Sequence, residues 1–195
     1  MTVTTLVAAT NNKGKLREIM QLLPEGVELK TLGDIGFAQE IPEPYETFEE
    51  NAATKARTVH TFCGLNVFAE DSGICVPALD GAPGVHSARY AGEPKDDGRN
   101  LAKLADEMWG KEDRRAYYKA VICLIWEGEE HYFEGTCHGR LAEEPRGSGG
   151  FGYDPIFIPE GYNETFGELP DEVKNKLSHR GEAVRKMVAF IKTQS

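Results

Sequence analysis

"AYYKAVICLIWEGEEHYFEGTCHGRL", residues 116–141, is rich in β-branched and aromatic positions and alternates around a Gly-Glu turn. That pattern predicts a long β-hairpin. A hairpin joins antiparallel strands, so the sheet that contains it is not purely parallel. Upstream the chain reads differently. Residues 3–9 form a β-branched strand, and 12–23 ("NKGKLREIMQLL") an amphipathic helix with Leu16, Ile19, Met20 and Leu23 on one face; "VELKTL" is a second strand. Helices alternate with strands early and hairpin-joined strands follow. The expected class is therefore α/β, with a mixed sheet and helices on both faces. The hairpin outruns the helical layer and predicts a second lobe, with a ligand cleft between the two.

The remaining elements fill in this frame. "AQEIPEPYETFEE" is an acidic loop broken by two prolines. Thr47 then caps a helix over 48–62, with Glu50 completing a capping box and Ala53, Ala56 and Val59 on the inward side. "NVFAED" is a short strand ending in two acids, and residues 97–108 form a helix. The tail carries a short helix from Asp171, an interruption at "SHRG", and a last helix with Val184, Met187, Val188 and Ile191 inward.

Composition narrows the function classes. The 195 residues, 40% hydrophobic and 28% charged, are those of an ordinary single globular domain, 1–195. No apolar run approaches the ~18 residues of a membrane span, and the N-terminal stretch lacks the basic region of a secretory signal. Cys63, Cys75, Cys123 and Cys137 lie far apart without a C-x-x-C pair, which predicts free thiols, no zinc site and a cytoplasmic protein. A net charge of −10 disfavours a nucleic-acid partner but not a small anion held by a few focused lysines.

Four constellations carry chemistry. In "ATNNKGK", Ala9–Lys15, a strand ends, Thr10, Asn11 and Asn12 supply short polar side chains, and a helix begins with Lys13, Gly14 and Lys15 at its exposed first amides. Helix-start amides and ammonium groups attract anions, although neither a Walker A loop nor a G-x-G-x-x-G is present. "AEDSG", Ala69–Gly73, sets Glu70 and Asp71 on opposite faces of a strand end beside Ser72, placing one acid to hold magnesium or orient water. Glu40, Glu43 and Glu46 are further candidate ligands, and Lys55 sits mid-helix. "GGFGYDPIFIP", 149–159, springs a glycine turn that delivers Phe151, Tyr153 and Asp154 together. In "KNKLSHRGEA", Lys174 precedes a helix start at which His179 and Arg180 oppose the helix dipole, which suggests donors aimed at an acceptor. "GAPGVHSARYAG" carries Ser87 and Arg89 and either shapes a cleft wall or makes a bend. Anion-binding amides, lysines, a metal-capable acid and a stacking aromatic together suit a nucleoside triphosphate.

These stretches also resemble a known family. "ATNNKGKLREI", "TFEENAATKAR", "EDSGICVPALDGAPGVHSARYAGE", "GGFGYDPIF" and "LSHRGEA" occur in the order and spacing of the non-standard purine NTP pyrophosphatases, the inosine triphosphate pyrophosphatase family. The resemblance implies a long curved mixed sheet between two lobes, a homodimer, and magnesium-dependent hydrolysis of ITP, dITP and XTP to monophosphate and pyrophosphate. It assigns the triphosphate to Thr10–Lys15 and Lys55, and catalysis and metal to Asp71, with Ser72 beside it. Glu43, or alternatively Glu40, becomes the loop metal ligand. Phe151, Gly152, Tyr153 and Asp154 become the base pocket, and Lys174, His179 and Arg180 read phosphate and the purine 6-oxo edge. Nudix chemistry would need a G-x5-E-x7-R-E-x-x-E-E box, which is absent.

Overall fold

The computed structural model describes residues 3–194. Six strands make one mixed sheet in the order β2-β1-β3-β4-β5-β6, comprising β1 (Thr4–Ala8), β2 (Val27–Lys30), β3 (Val67–Cys75), β4 (Arg115–Trp126), β5 (Glu129–Leu141) and β6 (Phe157–Pro159). β1 pairs in parallel with both β2 and β3, whereas β5 pairs antiparallel with β6 through Leu141 opposite Phe157. The hairpin is β4–β5, and its turn lies one residue earlier than a Gly-Glu reading places it. Glu127 and Gly128 both take positive φ, 49° and 87°, the twist that a two-residue type I′ connection requires.

The chain divides into two compact units, one of Met1–Asp71, Ala120–Gly135 and Arg180–Ser195, the other of Ser72–Lys119 and Thr136–His179. In the first unit the sheet is covered on both faces, and strand parity sorts the residues. Val7, Val67, Ala69, Cys123 and Ile125 meet Ala52, Ala53, Ala56 and Val59 of α2 (Phe48–Cys63). Leu6, Ala8, Phe68, Ile122 and Leu124 face Ile19 of α1 (Lys13–Leu22) and Ala183, Val184, Met187 and Ile191 of α5 (His179–Thr193). Thr47 caps α2, its hydroxyl accepting from the Glu50 amide at 3.2 Å.

Two local expectations change. Met20 is 62% exposed, and the inward face of α1 buries Glu18 instead, because that face meets an arginine as well as the core. β3 does not end at its acids; it runs on through Ser72 and Gly73 to Cys75. Gly73 permits this, since a Cβ there would collide with the Gly84 carbonyl and the Ser87 hydroxyl.

The second unit has its own core, in which Ile74, Tyr118, Leu141, Ile156, Phe157 and Phe166 pack with Leu104 and Met108. Leu104 belongs to α3 (Asp97–Glu107), whose N-cap is Asp96, accepting from the Arg99 amide at 2.8 Å. α4 (Asp171–Leu177) is separated from α5 only by Ser178. All four cysteines are free thiols, three of them buried and Cys63 partly so. Among the described residues no helix is long and apolar enough to cross a membrane.

Candidate active site

In the first unit the loop after β1 is built by its own side chains. The Thr10 hydroxyl accepts from the Asn12 amide at 3.1 Å, and Asn12 Oδ1 accepts from the Lys15 amide at 3.1 Å, making Asn12 the N-cap of α1. The Asn12 carbonyl oxygen thus serves the turn, while Asn11 and Lys13 lie exposed and Gly14 is half-buried. Lys15 reaches inward, its ammonium 3.1 Å from Glu70 Oε2. Burial holds the Lys15 pKa below its ordinary value, with Glu70 pulling the other way.

Strand parity then separates the two adjacent acids. Glu70 shares the face of Phe68, toward α1 and α5, and Asp71 shares that of Ala69, toward α2. Glu70 accordingly meets Lys15 and, at 3.2 Å, Arg180 Nη2, while Arg180 Nη1 donates to Glu18. Burial opposes the Arg180 charge, but Glu70 and Glu18 more than offset it and drive its pKa up. Four formal charges, two of each sign, form one network in which Glu18, Glu70 and Arg180 are buried and Lys15 is half-buried.

On the other face Lys55 is buried, not solvated as a mid-helix lysine usually is. Its ammonium donates to the Glu70 carbonyl at 2.8 Å and pairs with Glu43 at 2.7 Å. Asp71 is 4% exposed, and burial pushes its pKa up to about 6; Lys55 and Lys15 pull it down, and Glu43 and Glu70 raise it. Among the described residues no three His, Cys, Asp or Glu side chains cluster as a ready-made metal cage. That donor set still fits magnesium, which takes one or two carboxylate oxygens and completes its shell with water and phosphate. Asp71 and Glu43 would supply those oxygens beside two lysines. Glu40 lies exposed in the same loop.

The second unit holds the other cluster. Gly150 and Gly152 take φ of 68° and 62°, the left-handed region in which glycine is favoured, and a Cβ at Gly150 would strike the Asp154 carboxylate. The turn folds Asp154 back on itself, so that Oδ2 accepts from the Phe151 amide at 3.0 Å and from Lys174 Nζ at 2.6 Å. The Phe151 ring stays half-buried, with the Lys174 ammonium 5.3 Å from its centroid. Gly152 is fastened from outside, its amide donating to Asp97 Oδ2 at 3.1 Å. Tyr153 is a core residue whose hydroxyl donates to the Ser87 carbonyl. Ser72 is half-buried in β3, and His179 is buried with its ring parallel to Tyr118 at 4.5 Å.

Residues 6–190 match the profile of the Ham1 family. The chain belongs to the Ham1 family. It is 48% identical over 187 residues to the dITP/XTP pyrophosphatase of Porphyromonas gingivalis, covering 95% of this chain and 96% of that one. With the dITP/XTP pyrophosphatase of Nitrosomonas europaea it shares 49% over 191 residues, 95% and 93% of the two chains. Among solved structures, the Staphylococcus aureus Ham1 protein superposes with a TM-score of 0.89 at 36% identity, covering 98% of this chain and all of that one. A Mycobacterium abscessus nucleoside-triphosphatase, also described as a dITP/XTP pyrophosphatase, gives 0.76 at 41% identity over 95% and 99%.

The Ham1 chain's two clusters also hold residues beyond those assigned from its sequence. Glu18 has a legible signal, an acid three positions after Lys15 on an otherwise apolar helix face. Tyr118, Ser87 as an anchor and Asp97 have none, because their partners lie 36, 66 and 55 residues away.

Proposed function

We propose that this Ham1 protein hydrolyses the non-standard purine nucleoside triphosphates ITP, dITP and XTP between the α and β phosphates, releasing monophosphate and pyrophosphate. The observation that carries the reading is the charge arrangement around Asp71: a buried carboxylate that feels the ammonium charges of Lys55 and Lys15, with Glu43 paired to Lys55. Two lysines suit the negative charge of a triphosphate, and two carboxylates suit magnesium bound to it. Magnesium, when bound, supplies Lewis-acid stabilisation of charge on the phosphoryl oxygens. Asp71 holds the metal or takes the proton of the attacking water. Lys15, Lys55 and the first amides of α1 hold phosphate oxygens.

The base falls to the second cluster. Phe151 offers a ring face for stacking, and Asp154 and Lys174 hold that turn in shape. His179 offers an N–H to a 6-oxo acceptor; adenine, with an amino donor at that edge, would leave the donor unpaired, at a cost of ~1–3 kcal/mol, or roughly ten- to two-hundredfold. Arg180, the next residue in the chain, gives two of its guanidinium N–H groups to Glu18 and Glu70. Free thiols suit the reducing cytoplasm, where a homodimeric enzyme of this kind would keep deaminated purines out of nucleic acid.

The test is pyrophosphate release from ITP, XTP, dITP, GTP and ATP with magnesium, on wild type and Asp71→Asn. Turnover of the first three, weak turnover of the last two and loss in the variant are expected. Release of orthophosphate instead would overturn the cleavage assignment, and equal turnover of ATP the base selection.

A further inference from the structure

Tyr118 enters neither the triphosphate reading nor the base reading, yet it touches two residues that the base reading uses. It lies on β4 and is 6% exposed. Part of its environment is that of an ordinary core aromatic, with the Phe157 ring edge-on at 4.7 Å and the Phe166 ring at 6.1 Å. The rest is polar. The His179 imidazole lies flat on its ring, centroids 4.5 Å apart and planes 8° from parallel. Its hydroxyl donates to Asp154 Oδ1 at 3.1 Å.

Phenylalanine would fill the same volume without a hydroxyl to desolvate, so the hydroxyl is worth burying only through the bond it makes. That bond has a mechanical consequence. Asp154 Oδ2 already holds the Phe151 amide and the Lys174 ammonium. With Oδ1 on Tyr118, both oxygens are fixed and the carboxylate cannot turn about its own axis without breaking a hydrogen bond. Phe151, tied through its amide to the same carboxylate, is fixed with it. The ring does the equivalent for His179. It covers one face of the imidazole and fixes the plane in which the ring nitrogens point.

We propose that Tyr118 is a positioning residue for base recognition, its ring setting the plane of His179 and its hydroxyl locking Asp154 and, through it, Phe151. The inference rests on the reading of these residues as the base site.

The two functions are separable by substitution. Tyr118→Phe keeps the stack and loses the hydroxyl; Tyr118→Leu loses both. Each variant is assayed on ITP and ATP, with inhibition by magnesium pyrophosphate as the reading of the phosphate end and a thermal melt as the reading of the fold. For Tyr118→Phe the expected result is a KM for ITP raised about tenfold, from loss of a hydrogen bond to a charged group, with kcat within about threefold of wild type. For Tyr118→Leu the preference for ITP over ATP should fall a further severalfold. Pyrophosphate inhibition should not move in either. Should Tyr118→Leu fail to fold, Tyr118→Phe alone decides. Unchanged kinetics in a folded Tyr118→Phe would overturn the role, as would a loss of kcat with KM and base preference intact. Wild-type protein that releases no pyrophosphate from ITP would instead overturn the functional reading itself, and this role with it.

Discussion

Lys15 Nζ lies 3.1 Å from Glu70 Oε2, joining the first turn of α1 to the middle of β3, where Glu70 is only 1% exposed. Because Glu70 also pairs with Arg180, its removal would leave the buried Arg180 and the half-buried Lys15 short of a counter-charge. Glu70→Gln is expected to cost about 3–5 kcal/mol, the range for breaking one side of a buried pair. Urea unfolding measures it. The double variant with Lys15→Met should recover part of that loss, and simple additivity of the two changes would count against the coupling.

Asp71 carries a stability signature of its own. Burial raises its pKa from 3.8 to about 6, so the folded protein binds its proton more tightly than the unfolded chain does. The ionised carboxyl therefore opposes folding, fully above about pH 6 and not at all below the unfolded value. Metal-free Asp71→Asn should be the more stable protein at pH 8, by at most about 3 kcal/mol. The advantage should shrink as the pH falls through about 6 and vanish only below the unfolded value of 3.8. Melting curves of the two proteins that run parallel from pH 4 to 8 would refute this.

Gly150→Ala tests the turn that presents Phe151. Its positive φ and the Asp154 carboxylate against its missing side chain both resist a Cβ. A stability loss of about 1–3 kcal/mol is expected, with a raised KM for ITP and unchanged inhibition by pyrophosphate. A KM that stays put would mean that the turn tolerates reshaping.

Phe151→Ala tests stacking directly. Base–aromatic stacking contributes about 1–3 kcal/mol by alanine substitution, so kcat/KM for ITP should fall roughly ten- to hundredfold. The ring is half-buried, and the melting temperature should move little. Unchanged catalytic efficiency would remove Phe151 from the base site.

Much of the fold was legible in the chain because it is written in local periodicity. The residue types of 115–141 announce a hairpin, and Thr47 with its small-residue stripe announces α2. Asp154 was legible as part of a glycine turn, because the turn is local, whereas Lys55 sits mid-helix like any solvated lysine and its burial was not legible. Boundaries set by packing were not legible. β3 passes its two acids because Gly73 admits the Gly84 carbonyl, and nothing in "EDSGIC" announces a contact from that distance.

By itself, then, the sequence determined the element types, the mixed character of the sheet and the chemical inventory of lysines, acids, glycine turn and aromatics, since propensity and alternation act over a few neighbouring residues. Tertiary structure alone decided how that inventory is wired. Arg180 answers to Glu70 across 110 positions and to Glu18 across 162, and Tyr118 joins His179 to Asp154. A buried charge or hydroxyl must find its partner wherever folding brings one within about 3 Å, and the folded backbone sets that distance without regard to separation along the chain.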